Sequence, residues 1–80
     1  MKAITYSSAA RRSLRKLPPD VRARIVAKLQ AYAETGAGDV KALAGSDLAR
    51  LRVGDYRVIF VETATEITVG RIGHRRDIYR

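Results

Sequence analysis

Eighty residues accommodate one domain, expected over residues 1–80, with a core too small to be more than marginally stabilising. A composition of 46% hydrophobic and 30% charged residues excludes a disordered chain, and the absence of cysteine excludes a disulfide framework and thiol chemistry. Sixteen Lys and Arg against eight Asp and Glu leave a net charge of +8, and twelve of the sixteen are arginine, whose planar fork matches phosphate or carboxylate bidentately. That excess points to an anionic partner, against the plainer reading of a solvated basic surface. No apolar run approaches membrane-spanning length, and "MKAITYSS" carries no signal-like apolar region, so no membrane partner and a cytoplasmic location are expected.

In chain order, "KAITYS" alternates, with Ile4 and Tyr6 on one side, and predicts a short strand. Ser7 or Ser8 then caps a helix over "AARRSLRKL", in which Ala10, Leu14 and Leu17 share a stripe. "PPD" at 18–20 breaks it, and Pro19 or Asp20 opens a second helix carrying Val21, Ile25, Leu29 and Tyr32 at helical spacing. "TGAGD" ends that helix and begins a linker that runs through "VKALAGSD". From Leu48 the period changes to two, and "LARLRV", "YRVIFVE" and "EITVGRI" predict three strands. The layout is α+β: two N-terminal helices packed on a mainly antiparallel four-stranded sheet, in the order β-α-α-β-β-β. The helix arginines 11, 12, 15, 22 and 24 lie opposite the apolar stripe and read as solvated or partner-facing surface.

The hairpin around Gly54-Asp55 is more informative. A two-residue loop with Gly first suits a type II′ turn that pairs Val53 with Tyr56. Alternation then places Leu51, Val53, Tyr56 and Val58 on one face and Arg50, Arg52 and Arg57 on the other, with Arg52 across from Arg57. Like charges directly opposite destabilise a sheet, so this patch needs an anion, either an internal carboxylate or an external ligand. The chain ends in "IGHRRDIYR". A strand ending at Ile72 and pairing beside "YRVIFV" returns this segment over the sheet near the arginine patch, although Gly70 marks a candidate bulge that leaves the register open. His74 is the one histidine, a residue type suited to acid–base work.

Other chemistries fit poorly. One histidine, no cysteine and scattered carboxylates disfavour a metal site, and no cofactor is expected. The serines at 7, 8, 13 and 46 lack a nucleophile-elbow context, and "GAG" at 36–38 follows a helix rather than opening one.

The order of elements, the segment "KALAGSDLARLRVGDYRVIF" and the ending "IGHRRDIY" resemble the RelE branch of the RelE/ParE toxin family of bacterial type II toxin–antitoxin systems. The resemblance spans essentially the whole chain. It implies a ribosome-dependent endoribonuclease that cuts mRNA without metal, by attack of the 2′-hydroxyl on the neighbouring phosphate, and that assembles with a cognate antitoxin. By the same resemblance Arg50 and Arg52 are basic positions that contact RNA phosphate, and Arg57, Arg75 and Tyr79 are catalytic. It offers no firm role for Arg76, which is grouped with the phosphate-binding positions because of its charge. Arginine stays protonated, so proton transfer falls to Tyr79 or His74. The prototype has lysines where Arg50 and Arg52 stand, which removes a group whose pKa could be lowered to serve as base. The alternatives are a ParE-like toxin that poisons gyrase by binding and an inactive basic module that binds RNA or antitoxin; the tail "HRRDIY" favours the ribonuclease.

Overall fold

The computed structural model describes residues 1–78. A five-stranded sheet runs in the order β1-β5-β4-β3-β2, with β1 (Ala3–Tyr6), β2 (Val40–Ala42), β3 (Leu48–Val53), β4 (Tyr56–Glu62) and β5 (Glu66–His74). All neighbours are antiparallel except β1 and β5, which run parallel. The helices α1 (Ser8–Lys16) and α2 (Pro19–Thr35) form the second layer.

The expected α+β architecture holds, with one strand more than the sequence suggests. The fifth strand, β2, lies inside the predicted linker and pairs antiparallel with β3 (Val40 opposite Leu51, Ala42 opposite Ala49). Three residues are too few to show a period of two, so β2 is recruited by the edge of β3 rather than by its own pattern.

Local chemistry sets the helix ends. The Ser7 hydroxyl accepts from the Ala10 N–H at 3.0 Å and so caps α1. Leu17 precedes proline and turns extended (φ −80°, ψ 151°), stopping that helix. Pro19 opens α2, where its missing N–H costs nothing, and Gly36 closes it at φ 77°. Ala10, Ile25, Leu29 and Ala33 from the helices meet Leu51, Val53, Val58, Phe60, Ile67, Val69 and Ile72 from the sheet in one core. Both helices therefore cover the same face, and among the described residues the other face of the sheet carries no helix.

At the helix-covered side Glu62 accepts from Tyr32 Oη at 2.6 Å and from Lys2 Nζ at 2.5 Å. The Lys2 ammonium, then the Tyr32 hydroxyl, hold the Glu62 carboxyl below its ordinary value. The Tyr32 hydroxyl, donating to that carboxylate, is pushed up to about 12. A carboxyl depressed in the folded state stabilises above its unfolded pKa and loses that contribution as pH falls through the folded value. Urea midpoints measured against pH should therefore show a Glu62→Gln variant weaker than the parent near neutrality and converging with it in acid; a gap that persists at low pH would contradict this.

Candidate functional site

The strand register places the arginines. On β3 and β4, Leu51, Val53, Val58 and Phe60 point into the core, so Arg50, Arg52 and Arg57 face the uncovered side. Arg52 lies opposite Arg57 and Val53 opposite Tyr56, as the hairpin reading requires. Gly54 has φ 59° while Asp55 has no positive φ, which is the pattern of the II′ turn. Reading across the sheet, one row runs Lys41, Arg50, Ile59, Arg71, and the next runs Arg52, Arg57, Gly73.

The two carboxylates nearest in sequence are engaged elsewhere. Glu62 sits on the helix side with Lys2 and Tyr32, and Asp55 pairs with Arg75 at 3.6 Å. Among the described residues no carboxylate pairs with Arg50, Arg52, Arg57 or Arg71. Arg57 is half-buried, and its Nη1 donates to the Gly54 and Tyr56 carbonyls at 2.8 and 2.9 Å. That anchors the guanidinium and leaves its Nε and Nη2 hydrogens for another acceptor. Among the described residues no enclosed pocket forms, and the basic face is open. An open face suits an extended polyanion better than a small molecule.

The tail only partly follows expectation. The Arg75 N–H donates to the Asp55 carbonyl at 2.8 Å, and with the Arg75–Asp55 ion pair this brings Arg75 to the β3–β4 turn beside Arg57. Residues 74–78 then fold into a turn in which the Asp77 and Ile78 N–H groups donate to the His74 carbonyl. Ile78 is 4% exposed yet stands outside the main core, because it covers Gly73 on the uncovered face. His74, by contrast, pairs with Tyr56 and meets its ring edge-on at a centroid separation of 5.5 Å. It thus faces the helix side, opposite to the arginines, and its Nδ1 accepts the Arg76 N–H at 3.2 Å. The sequence left the register of this segment open, and the structure sets His74 on the face opposite to the arginines. The reason is register, since one residue of shift moves a side chain to the other face. Arg76 is exposed on the tail turn, and Tyr79 lies outside the described residues.

A Cβ on Gly73 would lie 3.2 Å from Ile78 Cδ1. Gly73→Val should keep the sheet, where valine is favoured, but push Ile78 off it. Amide exchange at Arg75, Asp77 and Ile78 should then accelerate while that of β4 stays slow; unchanged protection at all three would show that Gly73 does not seat the tail.

Sequence reasoning missed two cations of this face, Lys41 and Arg71. Lys41 was hidden in the linker. Arg71 reaches the outer face through a bulge: Ile59 pairs with Arg71 and Phe60 with Val69, leaving Gly70 as the extra residue. The signal was present in the spacing of buried residues on β5, which runs Ile67, Val69, then Ile72. The step of three after Val69 requires one inserted residue and turns Arg71 outward.

Comparison with known structures places this geometry in a class. RelE from Pyrococcus horikoshii OT3, in its complex with RelB, superposes with a TM-score of 0.80 at 24% identity, covering 95% of this chain and 97% of that one. A double arginine-to-alanine mutant of the Escherichia coli toxin RelE in the free state superposes at 0.81 with 18% identity, covering 98% and 87%. RelE of the Methanococcus jannaschii RelB–RelE complex gives 0.78 at 24%, covering 94% of each chain. At these identities the likeness establishes a RelE-like toxin fold and nothing finer. Residues 4–79 match the family of ParE toxins of the type II toxin–antitoxin system parDE. The chain belongs to that family, within the RelE/ParE toxins, and is a toxin of a type II toxin–antitoxin system. No curated protein matches it.

Proposed function

We propose that this toxin is a ribosome-dependent mRNA endoribonuclease that arrests translation, and that a cognate antitoxin binds and neutralises it. The observation that carries the reading is the open sheet face with four arginines and no carboxylate partner among the described residues. In the proposed reaction the 2′-hydroxyl oxygen attacks the adjacent phosphorus and the bond to the 5′-oxygen breaks. The 2′-proton leaves to a base, and the departing 5′-oxygen gains a proton, giving a cyclic phosphate and a 5′-hydroxyl. Arg52, Arg57 and Arg75 stabilise the charge that builds on the equatorial oxygens. Arg50 and Arg76 hold RNA phosphate.

Between the two candidates for proton transfer we assign the role to Tyr79, because the geometry of His74 disfavours the histidine. The His74 Nδ1 lone pair is taken by the Arg76 N–H, and its ring packs against Tyr56 away from the arginines. The antitoxin is supported by the relatives in P. horikoshii and M. jannaschii, whose RelE chains are solved with RelB. A segment that neutralises this chain should be acidic or amphipathic, to match the +8 charge.

The match to ParE toxins favours a second reading, in which the same scaffold poisons gyrase by binding and cleaves nothing. Purified toxin added to a translation reaction, with mRNA 5′ ends mapped, and to a gyrase supercoiling reaction separates the two. The ribonuclease reading expects new 5′ ends in the presence of ribosomes and unimpaired supercoiling. Intact message with inhibited supercoiling would replace it by the gyrase reading, and inertness in both would leave a binding module.

A further inference from the structure

The cations of the uncovered face fall into two rows, and the proposed chemistry uses mainly one. Arg52 and Arg57, with Arg75 at the adjoining turn, form the row assigned to the reacting phosphate. Lys41, Arg50 and Arg71 form the other, with the buried Ile59 between the two arginines as an apolar floor. Adjacent strands lie about 4.8 Å apart, so the Arg50 and Arg71 backbones stand roughly 10 Å from each other across β4. Long side chains leaning inward from that distance can grip one group between them. Along the strands the two rows are two residues, or roughly 7 Å, apart. That offset is comparable with one nucleotide step of an extended strand.

Arg71 owes its place to a built feature. The Gly70 bulge turns it outward, and the Ser7 hydroxyl donates to the Gly70 carbonyl at 2.8 Å while capping α1, which ties the bulge to the helix layer. Arg71 is exposed and has no ion pair among the described residues. Arg71 and Arg50 lie on the same face, with only the β4 strand between them, and like charges so placed repel unless an anion joins them.

We infer that Lys41, Arg50 and Arg71 form a second phosphate subsite, which holds the RNA phosphate next to the one being cut. The inference rests on the ribonuclease reading for its substrate, but its test does not need cleavage. The subsite fixes the strand so that the scissile phosphate falls on the Arg52–Arg57 row, and therefore contributes to binding rather than to the chemical step.

The probe is a single-stranded RNA oligonucleotide with 2′-O-methyl groups, which binds but cannot be cut. Its affinity is measured against salt for the parent, Arg71→Gln, Lys41→Gln and Arg71→Lys, each checked by thermal melting. Each contact removed should lower the slope of log affinity against log salt by about 0.7. Arg71→Lys should restore the slope while recovering only part of the affinity, because the bidentate fork is lost. On programmed ribosomes Arg71→Gln should raise KM and leave kcat unchanged. A slope equal to the parent's in both glutamine variants, or a parent that does not bind the oligonucleotide, overturns the subsite. An Arg71→Gln variant that loses only antitoxin affinity overturns it too and assigns the residue to a protein partner. A parent that binds the oligonucleotide with the expected slope but never cuts ribosomal message leaves the subsite standing and removes the ribonuclease reading instead.

Discussion

Tyr79→Phe is expected to cut mRNA on ribosomes about a hundred- to ten-thousand-fold more slowly than the parent, the range of a positioned acid–base group. The substitution removes one hydroxyl and keeps the ring. Melting temperature, antitoxin binding and ribosome binding should therefore stay as they are, and the loss should appear in kcat. His74→Asn is the matched control, because its side-chain oxygen can take over the acceptor role that Nδ1 plays for the Arg76 N–H. It should keep the tail turn and stay close to the parent rate. A His74→Asn variant as slow as Tyr79→Phe, or a Tyr79→Phe variant as fast as the parent, would return proton transfer to the histidine and require the tail to rearrange when RNA binds.

Arg52→Thr is expected to move activity and stability in opposite directions. Arg52 is exposed and directly across from Arg57, with no carboxylate beside it among the described residues. Removing one of two facing like charges should stabilise the sheet by roughly 0.2–1 kcal/mol, the size of a cross-strand pair effect. Removing a cation from the charge that develops in the transition state should slow cleavage by about a hundred- to thousand-fold. Urea denaturation and single-turnover cleavage on the same preparation decide it. A variant that is both slower and less stable would mark Arg52 as a structural residue. One that is more stable and equally fast would take it out of the site.

The opposite signs expected there reflect how a sheet face becomes a site. Residues chosen for folding alone would not place Arg52 against Arg57 or crowd Arg50 and Arg71 onto one surface, and in the proposed reading a ligand supplies the missing charge. The Arg52–Arg57 conflict was visible in the sequence, since alternation around Gly54-Asp55 fixes the face of every residue from Arg50 to Val58. The helices were legible for the same reason: Ile25, Leu29 and Tyr32 recur at helical spacing, and Ser7, Pro19 and Gly36 mark ends by local chemistry. What was not legible depended on register between distant segments. β2 forms only because β3 offers an edge, and the face of Arg71 and His74 depends on one inserted glycine, signalled within β5 only by the step of three from Val69 to Ile72. The tail's seat was also hidden, because Ile78 is buried by contact with Gly73 rather than by any periodicity of its own.

The most direct test of the central claim uses ribosomes programmed with a message carrying a single 2′-deoxynucleotide at the position that is cut in the all-ribose message. If the arginine face promotes attack by the 2′-hydroxyl, the ribose message should yield an upstream fragment ending in a cyclic phosphate and a downstream fragment with a 5′-hydroxyl. The substituted message should bind equally well and remain uncut at that position. Cutting of the deoxy-substituted message at the same bond, or persistence of the ribose message intact beside saturating toxin, would contradict the account.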